Sequence, residues 1–247
     1  MPDPGGRAAS PVAKRLVAAG ALALAGPLAI AAAALLSGGS LSDLSPASLL
    51  TAERLLPLFG LGLLLGQLRG RAMGLGLVLL VAGTGLGIAG RELFFRQMAK
   101  IPGAAAHMFL TGPLACVLIG LPLVLPDGLR RLVAPPLLVP AAGALAIATV
   151  LGDPTLHARG YLPSALAAQA WLVALIAFGT VALDRPWLSI AVRIVASWLI
   201  AIGLLYGGAH LAAKRTALEP PPFPALPDDA DAHGFGPLLR QIEGGGN

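Results

Sequence analysis

A few side chains that could do chemistry lie at the ends of long apolar runs in this chain of 247 residues. Glu53 precedes one run, His107 opens another and His210 closes the last. Carboxylates and imidazoles bind transition-metal ions. No two histidines stand four apart or as an HxH pair, so two interpretations remain. His107 and His210 are either ordinary residues of the membrane interface or, with Glu53, polar contacts for a transition-metal ion that is a substrate.

Two charged sites, the Glu53-Arg54 pair and Arg193, each allow more than one interpretation. Glu53 and Arg54 could mark a cation path or a buried ion pair, or both could be solvated at the membrane surface. Adjacent helical residues diverge by about 100°, so the two cannot face one site. Arg193 is an intramembrane charge within the last run. It must either pair with Asp184 or a lipid phosphate, or extend its side chain to the membrane surface as an anchor.

Motifs of the common enzyme classes are absent from the sequence. It contains no Ser-His-Asp order, HExxH, GxSxG or P-loop pattern. The glycine-rich run GLGLVLLVAGTGLGIAG follows no soluble strand, which excludes a dinucleotide loop. The single cysteine, Cys116, excludes an intrachain disulfide and a CxxC site, and we expect it in the core. We therefore predict neither an enzyme nor a nucleic-acid-binding protein.

The composition is that of a membrane protein. Hydrophobic residues make up 56% of the chain and charged residues only 12%, and the mean hydropathy is +0.81. The apolar residues form blocks of about 20, the length that crosses a bilayer. The net charge of +5 comes mostly from short loops, where basic residues set orientation. The sequence predicts an all-α fold, a polytopic transmembrane helical bundle with six or seven spans in contact with the lipid bilayer.

Composition divides the chain into four parts. Residues 1–15 are a polar N-terminal segment, and residues 16–36 are a first transmembrane helix or a signal-like segment. We favour a retained helix, because signal sequences have shorter apolar cores. Residues 37–211 form a six-helix bundle, and residues 212–247 a disordered tail rich in Pro and Gly. The predicted spans of the bundle are 49–68, 73–90, 104–125, 132–151, 164–183 and 187–211, with a short interfacial helix at 91–100.

Glycines recur four residues apart in three of these spans. Small residues at this spacing let helix backbones approach closely in lipid. Two interpretations follow, namely packing within the chain and docking of a partner helix. The helix-packing candidates are Gly62, Gly66, Gly70, Gly83, Gly87, Gly203 and Gly207.

A family resemblance rests on the stretch ERLLPLFGLGLLLGQLRGRAMGLGLVLLVAGTGLGIAG. It resembles the second and third apolar segments of the HupE/UreJ family of hydrogenase and urease accessory membrane proteins. The residues that carry this likeness are Gly62, Gly66, Gln67, Gly70, Arg71 and Ala72, with Arg193, Ser197, Ala201, Gly203 and Leu204 in the last span. The resemblance implies six helices after a signal-like segment, a bacterial inner (cytoplasmic) membrane location, and nickel or cobalt transport or metalloenzyme maturation.

The chain departs from this family at the presumed metal motif, HP-x-x-G-x-DH. The corresponding stretch is SPASLLTAER, with Glu53 in place of Asp and Arg54 in place of His. Arginine keeps its proton and cannot replace imidazole as a ligand. A permease would require Glu53, His107 and Gln67 to face one another. The alternative is a non-catalytic accessory or scaffold subunit, whose glycine faces meet other membrane subunits or a second copy of the chain.

Overall fold

The computed structural model describes residues 11–39, 50, 52–68, 70–100, 110–153, 158–183 and 186–215, without the side chains of residues 11–19, 52, 53, 186, 210, 211 and 213–215. This part of the chain contains no strand. Its seven helices are α1 (Pro11–Leu36), α2 (Ala52–Gln67), α3 (Arg71–Met98), α4 (Thr111–Val124), α5 (Asp127–Leu151), α6 (Tyr161–Leu183) and α7 (Pro186–Arg215). The predicted helical bundle is therefore confirmed.

The bundle lies in the first of two units, residues 1–208; in the second, residues 209–247, the described residues belong to the last turns of α7. Within the described residues, four helical segments are long and apolar enough to cross a membrane: α3, α5, α6 and residues 188–209 of α7. Many large apolar side chains on these helices are exposed, as lipid contact requires; they include Val78, Val81, Leu86, Val181, Trp198 and Leu205. The protein is thus a helical membrane protein.

Two short helices, α2 and α4, lie at the centre of the bundle. With 16 and 14 residues they are about 24 and 21 Å long, less than the roughly 30 Å hydrocarbon core of a bilayer. Their side chains supply much of the hydrophobic core, including Leu58, Leu61, Leu64, Leu65, Ile119 and Leu123. Longer helices pack around them, with α6 and α3 against α2 and α5 against α4.

Glycines let α2 and α6 approach each other closely. A methyl group added to Gly62 would lie 2.6 Å from Cβ of Ile176, and one added to Gly66 would lie 2.6 Å from Cβ of Thr180. Real Cβ atoms do not approach this closely, so the two backbones meet because side chains are absent. The matched order of the contacts means that α2 and α6 run parallel.

The contact between α3 and α5 has the same construction. A methyl group at Gly83 would lie 2.5 Å from the carbonyl oxygen of Val139, and one at Gly87 would lie 2.7 Å from that of Gly143. Here backbone faces backbone directly. These two helices also run parallel.

Gly203 of α7 packs against α4, where a methyl group would lie 2.8 Å from the carbonyl oxygen of Pro113. Gly207 has looser neighbours in the same region, at 3.8 Å from Leu110 and Pro113. Gly70 differs from the other candidates, because nothing lies within 4 Å of its Cβ position. It occupies the turn between α2 and α3 with φ 61° and ψ −129°, a conformation that glycine adopts most readily.

The prediction of a separate interfacial helix at residues 91–100 is wrong. α3 continues without a break from Arg71 to Met98, because no glycine or proline follows Gly90 in this stretch. A guanidinium nitrogen of Arg96 lies 3.7 Å from a carboxylate oxygen of Glu92, an i, i+4 ion pair of the kind that supports a helix.

Several other boundaries differ from prediction. α1 begins at Pro11 rather than at residue 16, α6 begins at Tyr161 rather than at residue 164, and α7 continues to Arg215 rather than to residue 211. α5 begins at Asp127, five residues before the predicted Leu132. Pro126 precedes the first turn in an extended conformation, and the carboxylate of Asp127 complements the positive end of the helix. Of the span predicted from residue 104, the part up to 109 lies outside the described residues, and α4 begins at Thr111.

Candidate functional site

The three predicted metal ligands lie outside the side chains that the structure describes. Glu53 is the second residue of α2, His210 lies near the end of α7, and His107 falls in the segment between α3 and α4. Among the described residues, no group of three or more His, Cys, Asp or Glu side chains could hold a metal ion.

Glu53 and Gln67 of α2 cannot meet at a single ion, contrary to the arrangement expected of a permease. Glu53 and Gln67 lie at opposite ends of this helix, about 21 Å apart along its axis at 1.5 Å per residue. Leu58, Leu61 and Leu64, which lie between them, are all buried. A path that used both residues would have to run the length of α2.

Gln67 has an unmet hydrogen-bonding group. Its amide oxygen is buried and finds no partner among the described residues. The hydroxyl of Ser164, near the start of α6, is also buried without a hydrogen-bond partner among the described residues. Buried polar atoms are nearly always hydrogen-bonded, so each exception suggests a water, an ion or a ligand.

Arg54 is buried and connects three helices, so its interpretation as a solvated surface residue is wrong. Only 4% of it is exposed. One guanidinium nitrogen donates to the hydroxyl of Tyr161 at 3.0 Å, and another to the carbonyl oxygen of Gly152 at 2.9 Å. Tyr161 donates to the same carbonyl at 3.1 Å. The guanidinium thus lies at the negative end of α5, where a cation is stabilised.

Arg130 supplies hydrogen bonds to the C-terminal end of α4. Its guanidinium donates to the carbonyl oxygens of Pro122, Leu123 and Leu125 at 3.2, 3.3 and 2.8 Å, which lie in and just after the last turn of α4. It also donates to the carboxylate of Asp127 at 3.0 Å. Backbone groups in a membrane need such partners because lipid offers none, so Arg130 stabilises the C-terminal end of the short α4.

Arg193 faces outward from α7 rather than into the bundle. It is exposed, as are its neighbours Ile190, Ile194 and Trp198. The interpretation of Arg193 as one member of a buried pair therefore does not hold for the described residues. Asp184, the carboxylate considered as its partner, lies outside them.

A cavity of about 340 Å³ opens between α3 and α6 over α2 and α5. Its walls are apolar except for Thr84 and Gln169. The amide nitrogen of Gln169 donates to the hydroxyl of Thr149 at 2.8 Å, and that hydroxyl donates to the carbonyl oxygen of Leu145 at 2.8 Å. Apolar cavities with a few polar groups are the usual form of small-molecule sites.

Sequence inspection missed the groups around Arg54 and the cavity. Gln169 stands alone in an apolar run, and a buried amide within a membrane span was the signal available for it. Tyr161 and Gly152 gave no signal, because their roles depend on a residue about one hundred positions away. The sequence matches no protein-family model, no curated protein and no solved structure, so its assignment as a multi-pass helical membrane protein rests on its own sequence and structure.

Proposed function

We propose that this chain is a bacterial inner-membrane protein of the HupE/UreJ type, which acts as a permease for a transition-metal ion such as nickel or cobalt or as an accessory in metalloenzyme maturation. The observation that carries the proposal is the α2–α3 hairpin. Residues on which the resemblance rests also organise the bundle, since Gly62 and Gly66 meet α6 and Gly70 forms the turn before Arg71 opens α3.

Oxygen atoms at both ends of α2 support a polar substrate. At the first turn, Pro57 has no N–H for the carbonyl oxygen of Glu53, four residues earlier, so that oxygen lacks its usual helical donor. At the other end, the amide oxygen of Gln67 is buried without a partner among the described residues. The leucines between the two ends are closely packed, so a permease would have to open this packing, whereas an accessory protein could hold an ion at one end.

The alternative, a scaffold that docks partners through its glycine faces, has less support. Gly62, Gly66, Gly83, Gly87 and Gly203 all face helices of the same chain within contact distance. A scaffold would have to use the lipid-facing sides of α3 and α7 instead.

Metal content and subunit composition, measured on one sample, test the proposal. The full chain is purified in mild detergent with nickel or cobalt present, and is then analysed by native mass spectrometry and elemental analysis. The variants are Glu53→Ala and His107→Ala. The matched controls are Glu92→Ala, on the exposed face of α3, and His157→Ala, a histidine outside the candidate set.

We expect stoichiometric metal on the wild type and on both controls, and its loss in Glu53→Ala or His107→Ala. A metal-free chain that co-purifies with other membrane subunits would overturn the metal role and favour the scaffold. Metal that survives both substitutions at full stoichiometry would refute the assignment to these residues.

A further inference from the structure

The outward orientation of Arg193 requires an explanation. Charged residues in membrane helices almost always face the bundle interior or a water-filled cavity. Arg193 instead belongs to an exposed stripe of α7 with Ile190, Ile194 and Trp198, which are 63%, 50% and 66% exposed. No described residue of the bundle supplies a counter-charge for it.

Contacts between α4 and α7 place Arg193 beside the end of α4. The Cβ position of Gly120 lies 3.0 Å from the carbonyl oxygen of Ala196, and that of Gly203 lies 3.2 Å from Cβ of Cys116. The two helices are thus antiparallel, because higher numbers on α7 meet lower numbers on α4. Arg193, three residues before Ala196, lies level with the last turn of α4.

The turn between α4 and α5 carries further positive charge. The guanidinium of Arg130 is occupied by the carbonyl oxygens of α4 and by Asp127. Arg131, the next residue, is exposed. Neither Arg131 nor Arg193 forms an ion pair within the described part of the chain. The positive charges of Arg193 and Arg130 are close enough to repel each other.

Helix geometry directs these charges to one membrane surface. Arg193 is seven residues from the start of α7, about 10 Å along its axis. Side chains of a helix tilt toward its N-terminus, so Arg193 points toward the end of the bundle that carries the α4–α5 turn. Long basic side chains extend in this way to reach the headgroup layer.

We propose that Arg193 and Arg131 bind the phosphate headgroup of an anionic phospholipid at the α4–α5 turn. The acyl chains of that lipid lie along the exposed stripe of Ile190, Ile194 and Trp198. Two cations without described carboxylate partners match an anionic headgroup, and the apolar stripe matches its chains. This inference does not depend on the proposed metal role.

Native mass spectrometry of the full chain in a neutral detergent tests the site. Phosphatidylglycerol and phosphatidylcholine with the same acyl chains are titrated against the wild type, Arg193→Gln and Arg131→Gln. The matched control is Arg96→Gln, which removes an exposed arginine from the far end of α3. Thermal unfolding of each variant confirms that the bundle is intact.

We expect the wild type to prefer phosphatidylglycerol, and each of the two variants to weaken its binding about fivefold, the effect of one basic residue near an anionic membrane surface. Arg96→Gln should bind as the wild type does. Equal binding of the two lipids, or unchanged binding by Arg193→Gln, would overturn the proposal.

Two further experiments distinguish the lipid from other partners of these arginines. If inorganic phosphate alone displaces phosphatidylglycerol, the site takes free phosphate and the lipid assignment fails. If Asp184→Asn strengthens lipid binding, Asp184 holds Arg193 in the wild type and the proposal also fails. We expect neither effect.

Discussion

Replacing Gly87 by alanine tests the close approach of α3 and α5. The added methyl group would lie 2.7 Å from the carbonyl oxygen and 2.8 Å from Cα of Gly143. Ordinary contacts of a Cβ atom begin near 3.4 Å. The obstacle is backbone, which cannot rotate aside as a side chain can, so the helices must separate.

A matched control on the same helix isolates this steric effect. Gly90, three residues further along α3, has nothing within 4 Å of its Cβ position. Both substitutions gain helix propensity of about 1 kcal/mol, so this gain cancels in their difference. The remaining difference is the cost of overpacking, about 1–3 kcal/mol.

The single cysteine provides the assay. Cys116 is buried, so a thiol-reactive dye reports unfolding in detergent without an engineered label. We expect Gly87→Ala to unfold several degrees below Gly90→Ala, with Gly90→Ala at or above the wild type. Equal midpoints for the two variants would refute the backbone contact between α3 and α5.

Two other substitutions test buried polar contacts in the same assay. Arg54→Ala should destabilise the bundle by about 1.5–3 kcal/mol, the cost of losing hydrogen bonds from a charged donor. Tyr161→Phe should cost less, because Arg54 still donates a hydrogen bond to the carbonyl oxygen of Gly152. If Arg54→Ala is as stable as the wild type, Arg54 does not hold the three helices together. Gln169→Leu should cost about 0.6 kcal/mol, the average for a hydrogen bond between membrane helices; a loss of several times that would mean that Thr149 depends on the amide.

The sequence predicts the helices and the α2–α3 hairpin because both depend on local properties. Apolar blocks of bilayer length set the helices, and Gly70 supplies a conformation that few other residues adopt. The continuation of α3 past Gly90 was missed because charged residues next to aromatic ones resemble an interfacial segment. The chain there contains no helix breaker, so the helix continues.

Burial of the two structural arginines could not be predicted from local sequence. Arg54 finds its acceptors 98 and 107 residues away, so its position depends on how three helices pack. Arg130 bonds to carbonyl oxygens only five to eight residues away, but it can reach them only because α4 ends at Val124. The orientation of Arg193 toward lipid likewise depends on which face of α7 packs against α4.

Labelling of single cysteines tests most directly whether this bundle crosses the membrane as described. In a Cys116→Ala background, cysteines replace four exposed residues near helix ends, namely Arg71, Lys100, Gly128 and Arg159. A membrane-impermeant maleimide is applied to intact and to permeabilised cells. We predict that Arg71 and Gly128 label from one side and Lys100 and Arg159 from the other, because α3, α4 and α5 separate them in turn. If Lys100 and Gly128 label from the same side, the short α4 does not cross the membrane, which contradicts the topology described here.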